Sequence, residues 1–341
     1  MHGFAAPWWL PGGHAQTIWP AKLARRAPPA AANTPLRWRR ERWTTPDADF
    51  VDVDFLAAPA PAPAATAATP AVSASTTAPL LVLFHGLEGS SQSHYAQAFA
   101  HWAQHHGWNF AVPHFRGCSG AMNLAPRAYH SGDFEEIGWM LARLRDGHGG
   151  PVYAVGISLG GNALLRWAEE AGASARLTAR AVAAVCPPVD LAASGHAIGR
   201  GFNRQVYTRM FLRTMRPRAL AKLAQHPGLF NRQAMLAARD LYDFDNLFTA
   251  PLHGFKNTDD YWRRASAKPH LAAILLPTLL LNARNDPFVP ATSLPQALAV
   301  GQHVTLWQPA QGGHVGFPGG RFPGHVHSLP DGVMHWMQQA G

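Results

Sequence analysis

The feature that most constrains this chain is the pentapeptide Gly156-Ile157-Ser158-Leu159-Gly160 together with its flanks. An apolar run, Val152-Tyr153-Ala154-Val155, leads into it, and a helical pattern from Gly161 to Ala171 follows. Strand, tight turn with a serine at its apex, then helix is the frame that makes a G-x-S-x-G match a nucleophile elbow. The turn holds its serine in a strained conformation close to a neighbouring strand and helix, so a side chain on either flank would collide. The pentapeptide alone is a common pattern in a Gly-rich chain. It gains meaning only if the rest of the chain supplies a base, an acid and oxyanion donors.

Length and composition set the frame for those partners. At 341 residues and 47% hydrophobic content, the chain suits one large α/β domain carrying insertions. The two cysteines, Cys118 and Cys186, lie in separate segments. They make neither a disulfide framework nor a zinc cluster, and a reducing compartment fits them. The net charge of +9 comes mostly from scattered arginine, with only four lysines, and no nucleic-acid-binding module pattern accompanies it. A nucleic-acid partner is therefore not expected. Pro7, Pro11, Gly12 and Gly13 interrupt the N-terminal apolar residues, and no run approaches the ~18 apolar residues of a membrane span. The expectation is a soluble cytoplasmic protein.

Residues 1–35, rich in Trp, Pro and Gly at their start, read as an irregular segment packed on the body. Trp38–Trp43 and Phe50–Leu56 read as two leading antiparallel strands. Ala57–Pro79 contains only Ala, Pro, Thr, Ser and one Val, and reads as a flexible loop. An alternating rhythm follows. Leu80–Phe84, Asn109–Val112, Val152–Val155, Ala181–Val185, Pro277–Asn282 and Val304–Trp307 read as strands. Helices lie between them: one from Ser93 to His106 stopped by Gly107, one opened by Asp133 and Glu136 as a capping pair, and one at the C-terminus. Such alternation implies a mostly parallel twisted sheet covered by helices on both faces. Residues 190–273 break the rhythm. They are helical and aromatic-rich and read as a cap inserted over the carboxyl end of the sheet.

A serine hydroxyl is a poor nucleophile without a base to take its proton, and the base needs an acid to orient it. In this arrangement the chain order is Ser, then Asp or Glu, then His. Asp286 follows the Pro277–Asn282 strand, and His314 follows the last strand in Gly312-Gly313-His314-Val315-Gly316. Both sit at strand carboxyl ends, where open α/β sheets place their sites. Asp190 is the rival acid. His85-Gly86-Leu87-Glu88-Gly89 follows the Leu80–Phe84 strand, and the backbone N–H groups of Leu87 and Leu159 are the candidate oxyanion donors.

Here the chain resembles the YheT-like branch of the α/β-hydrolase fold, which is related to mammalian membrane-anchored ABHD-type lipid hydrolases. The matching stretches span almost the whole chain. They are Trp9-Leu10-Pro11-Gly12-Gly13-His14-Ala15-Gln16-Thr17, His85-Gly86-Leu87-Glu88-Gly89-Ser90, His114-Phe115-Arg116-Gly117-Cys118-Ser119-Gly120 and Tyr129-His130-Ser131-Gly132-Asp133. The elbow, Ala250-Pro251-Leu252-His253-Gly254-Phe255, Asp286-Pro287-Phe288 and Gly313-His314-Val315-Gly316-Phe317 complete the set. The resemblance implies a Ser158–Asp286–His314 triad and carboxylesterase or acylglycerol-lipase activity. Ala57–Pro79 departs from it as an insertion. No stretch matches the membrane anchor of the mammalian relatives, so a membrane location is not carried over.

Other features have bland readings beside functional ones. Cys118 could be a second nucleophile, but it lacks the strand–turn–helix frame. His101 and His105 stand one helical turn apart, but no carboxylate or cysteine joins them, and no metal is expected. In the cap, Phe202, Tyr207 and Met210 could line an acyl pocket or simply pack the cap. The arginines between them, Arg200 to Arg218, with Lys222, could be a solvated face or a peripheral contact with an anionic membrane. The expectation is a serine-dependent carboxylic-ester hydrolase that needs no cofactor. It would act on small short- to medium-chain or lipid-like esters through an acyl-enzyme. The alternatives are an acyltransferase using the same triad, or a non-catalytic binding protein on the same fold.

Overall fold

Two apolar faces of one sheet set the architecture of the protein. The structure, a computed structural model, describes residues 3–28, 35–57 and 77–341. Its strands are β1 (Trp38–Thr44), β2 (Phe50–Leu56), β3 (Leu80–Phe84), β4 (Asn109–Pro113), β5 (Val152–Ile157), β6 (Ala181–Val185), β7 (Thr278–Leu281) and β8 (Val304–Trp307). They lie in the order β1-β2-β4-β3-β5-β6-β7-β8. β1 pairs antiparallel with β2, and β2 with β4; every other pairing is parallel.

The central strands are apolar at every position because both faces are covered. On β3, Leu80, Val82 and Phe84 join Ile137, Met140, Leu141 and Leu164 in one core, while Leu81 and Leu83 join Phe99, Trp102, Met334 and Met337 in the other. The helices Phe134–Asp146 and Leu159–Ala171 cover the first face, and His94–His105 and Ser328–Ala340 the second. Each such Leu or Phe contributes roughly 2 kcal/mol by burial.

The leading hairpin is tied to the sheet by charge. Arg40 stands opposite Asp54 and Arg42 opposite Asp52 in the register, and each pair is bidentate at 2.7–3.0 Å. Asp54 also accepts from Ser91 at 2.7 Å and lies 2.9 Å from His114 Nε2, which joins the hairpin to β4. Asp49, at the start of β2, accepts from the amides of Leu124 and Ala125, from Asn123 and from Arg116. These bonds fix the 116–130 loop, which becomes a wall of the site.

Three local expectations differ from the structure. The N-terminal segment is not irregular throughout: Gly13–Lys22 is a helix even though it carries Pro20, which has no N–H to offer the carbonyl of Gln16. Asp133 does stand at the N-cap of its helix, but its side chain makes no capping bond. Asp133 pairs with Arg127 at 2.7 Å and Glu136 with Arg116 at 2.6 Å, because buried carboxylates gain more from cations than from backbone amides. The loop expected over Ala57–Pro79 falls mostly outside the described residues.

Between β6 and β7 the chain runs through helices, among them Leu191–Ile198, Arg209–Gln225 and Thr258–Ala265. They hold a small core of their own, Leu212, Met215, Met235, Phe244 and Phe248, against which Leu87 and Ala128 of the sheet domain pack. Arg204–Thr208 and Asp245–Thr249 are π turns. Among the described residues no helix is long and apolar enough to cross a membrane.

Candidate active site

Ser158 sits between β5 and the helix Leu159–Ala171, with φ 52° and ψ −117°. That left-handed conformation is costly for a side-chain-bearing residue and is held by its surroundings. A Cβ on Gly160 would lie 2.6 Å from the carbonyl oxygen of Phe84, and one on Gly156 would lie 2.5 Å from the carbonyl oxygen of Gly160. Glycine at 160 therefore lets the turn press against β3, and glycine at 156 lets the start of the following helix close onto β5. The Ser158 amide donates to Val185 O at 2.8 Å, which aims Oγ away from the sheet.

Ser158 Oγ lies 2.9 Å from His314 Nε2, and His314 Nδ1 lies 2.8 Å from Asp286 Oδ2. Asp286 is buried, and its Oδ1 accepts from the amides of Phe288 and Val289, so one oxygen is left for the imidazole. The Phe288 ring packs on the imidazole with centroids 4.3 Å apart. The three side chains come from the ends of β5, β7 and β8, which lie on the same half of the sheet.

The Leu87 and Leu159 amides flank the serine. Leu159 opens its helix, so its N–H has no intrahelical acceptor. Leu87 follows Gly86, whose missing side chain lets the loop pass within van der Waals reach of Ser158 Cβ. Gly86 N–H donates to Tyr95 Oη at 3.0 Å, and Glu88, with φ 58°, donates its N–H to Tyr129 Oη at 3.1 Å. Leu87 is thus pinned on both sides, and among the described residues no acceptor is paired with the amide of Leu87 or of Leu159.

His85 has a different part. Its Nε2 accepts from the Phe115 amide, its Nδ1 faces Gly86 O, and burial beside His114 pushes its pKa down to about 3. It is a neutral brace between two loops.

A cavity of about 150 Å³ opens beside Ser158. Its lining runs along Leu87, Leu159, Ile198, Phe211 and Met215 toward Arg218 and Lys222. Its volume is comparable to that of a cavity that accepts a benzene-sized group. Phe202, Tyr207 and Met210 do not line it. The π turn at Arg204–Thr208 shifts the phase of the cap helix, so Phe211, Met215 and Arg218 face inward, while Phe202 and Met210 stand exposed. Tyr207 is buried behind Phe288, with rings 4.5 Å apart, and its hydroxyl lies 3.1 Å from His14 Nδ1. Arg218 and Lys222 also leave the basic face expected of them. Arg218 pairs with Glu88 at 3.0 Å, and the buried Lys222 donates to the carbonyls of Asn123 and Ala125.

The rival groups are occupied elsewhere. Asp190 caps the helix Leu191–Ile198 and pairs with Lys268. Cys118 is buried, and burial pushes its thiol up to about 11, so it is protonated and shielded. Cys186, Asp286 and His314 lie close enough to share a metal ion, the one such group of three among the described residues. Burial and the Asp286 charge raise the Cys186 thiol far above its usual range.

The site also contains residues to which the sequence reading assigned no role. Thr17 Oγ1 accepts the His314 amide at 2.9 Å. Gln16 Oε1 accepts from Asn285 Nδ2 and from the Gly312 amide, both at 2.9 Å, and Asn285 Oδ1 accepts from the Gly313 amide. The N-terminal helix therefore ties the loop of the acid to the loop of the base. The Trp9–Thr17 motif was visible in the sequence, but its contacts lie some 270–300 residues away along the chain.

A family model described as the alpha/beta hydrolase fold matches residues 79–320. YheT of Escherichia coli (strain K12), whose naming as an esterase is provisional, is 38% identical over 310 residues, covering 90% of this chain and 84% of that one. Phospholipase ABHD3 of Mus musculus is 29% identical over 254 residues, 73% of this chain and 60% of that one. Among solved structures, the Pyrococcus furiosus esterase Pf2001 superposes with a TM-score of 0.53 over 89% of this chain and 91% of that one. At 14% identity that likeness carries the fold alone.

Proposed function

We infer the activity from one premise: the chain belongs to the α/β-hydrolase fold family, in the branch that contains YheT. The proposed activity is that of a serine-dependent carboxylic-ester hydrolase. The observation that carries this reading is the unbroken path from Ser158 Oγ through His314 to Asp286, at 2.9 and 2.8 Å, beside an apolar cavity.

In the proposed reaction Ser158 Oγ attacks the ester carbonyl while His314 Nε2 takes its proton. Asp286 accepts from Nδ1–H, which fixes the tautomer and stabilises the imidazolium. The carbonyl oxygen becomes an oxyanion facing the amides of Leu87 and Leu159. As the tetrahedral adduct collapses, the C–O bond to the alcohol breaks and His314 returns its proton to the leaving oxygen. Water then attacks the acyl-serine with His314 again as base, releasing the acid and restoring Ser158. Thr17, Gln16 and Asn285 act as positioning residues that hold the acid and base loops in register.

The small volume of the apolar cavity supports acyl groups of short to medium length over long or bulky acids. A panel of p-nitrophenyl esters of graded chain length, run on wild type and Ser158→Ala, tests both statements. The expected profile favours short to medium chains and falls for long or branched ones, with turnover in Ser158→Ala lower by at least about ten-thousand-fold. Undiminished turnover in Ser158→Ala contradicts the mechanism.

A further inference from the structure

Between Leu191 and Arg239 the chain carries nine arginine and lysine side chains and no aspartate or glutamate, while the rest of the chain is balanced in charge. A net charge equal to the whole chain's +9 therefore lies in this one stretch of the cap. Arg218 and Lys222 turn inward, as described. Arg204, Arg209, Arg213, Arg216 and Arg239 line a shallow outer groove floored by Leu212. Arg216 donates to the carbonyl of Ala238, and among the described residues none of the five guanidinium groups is paired with a carboxylate, although the Arg239 backbone amide donates to Asp243.

Exposed apolar side chains adjoin the groove residues in sequence: Phe202 two residues before Arg204, Met210 beside Arg209 and Leu236 beside Ala237. Phe202 is 55% exposed, Met210 41% and Leu236 42%. On the helix Arg209–Gln225, Arg209, Arg213 and Arg216 fall on one face, while Phe211, Met215 and Arg218 fall on the opposite face and line the cavity.

We propose that this outer face of the cap docks on an anionic phospholipid surface. The guanidinium groups meet the headgroup phosphates, and Phe202, Met210 and Leu236 enter the headgroup–acyl boundary. Nucleic acid presents the same phosphates but gives exposed aliphatic side chains nothing to bury against, so the mixed face favours a bilayer. Docking this way sets the ester cavity one helix diameter, about 10 Å, from the lipid.

The test is flotation of the full chain with phosphatidylcholine vesicles, with and without phosphatidylglycerol, at low and high salt. Two variants accompany it, Arg209→Glu/Arg213→Glu and Met210→Ser/Leu236→Ser. Hydrolysis of a water-soluble short ester by each variant checks folding independently. Wild type is expected to float with the anionic vesicles at low salt and not with phosphatidylcholine alone. High salt is expected to weaken the binding, the charge reversal to weaken it by more than about tenfold, and the apolar pair to weaken it by about threefold. The proposal is overturned by absence of binding to anionic vesicles at low salt, or by undiminished binding in either variant. Release of the protein from vesicles by duplex DNA at matched phosphate, or by inorganic phosphate where sodium chloride of the same ionic strength does not release it, also overturns it, since the face would then serve a nucleic acid or a small anion.

Discussion

The imidazole of His314 is held at four points: Asp286 at Nδ1, Ser158 at Nε2, the Phe288 ring on its face, and Thr17 at its backbone amide. Each hold predicts a different consequence. Asp286→Asn keeps the shape but favours the wrong tautomer, so kcat should fall about ten-thousand-fold with the fold intact by circular dichroism. Thr17→Val leaves the His314 N–H without its acceptor, which costs about 1–3 kcal/mol and lets the loop drift. Its kcat should fall about tenfold with KM little changed, and Thr17→Ser, which keeps the hydroxyl, should recover most of the loss. Equal kinetics for the Val and Ser variants would remove Thr17 from the positioning network.

At the scale of elements, the cap decides what reaches Ser158. Met215 faces the cavity from the long cap helix. Met215→Trp should therefore lower turnover of medium-chain esters while sparing acetate esters, a change read directly from a chain-length panel. The leading hairpin offers a stability test. Burial opposes ionisation of Asp54, yet hydrogen bonds from Arg40, His114 and Ser91 hold its carboxyl well below the usual range. Asp54→Asn would leave that cluster without its anion and should cost about 3 kcal/mol in urea unfolding.

These elements also divide what the sequence could reveal from what it could not. The strands were legible because apolar runs bounded by Gly and Pro are local signals. The places of Ser158, Asp286 and His314 at strand ends follow from those same runs. The inward face of the cap was not legible. A π turn adds a residue to the helical repeat, so the face read at Phe202 does not continue to Phe211 and Met215 in the helix that follows. The N-terminal helix was obscured by its Gly-Gly and Pro residues, and its bonds to Gly312 and Asn285 depend on the completed fold.

Across the whole molecule, one buried imidazole, His85, and two half-buried ones, His94 and His130, make stability depend on pH. Burial pushes His85 and His130 down to about 3 and His94 to about 4. In the unfolded chain an imidazole takes up its proton near pH ~6.5, so between there and the folded values the unfolded state holds more protons, and stability falls as pH falls. Glu169, raised by burial to about 8, acts in the opposite sense. The difference between wild type and His130→Asn therefore isolates one imidazole: the variant should lose less stability than wild type between about pH 7 and about pH 5, read from urea midpoints. The central claim, however, is that Ser158 is the acylated nucleophile. Labelling with a fluorophosphonate, followed by intact mass and peptide mapping, tests it most directly. A single adduct on Ser158, loss of esterase activity in step with labelling, and no adduct on Ser158→Ala are expected. A wild-type protein that stays unlabelled while hydrolysing esters, or an adduct that persists in Ser158→Ala, would contradict it.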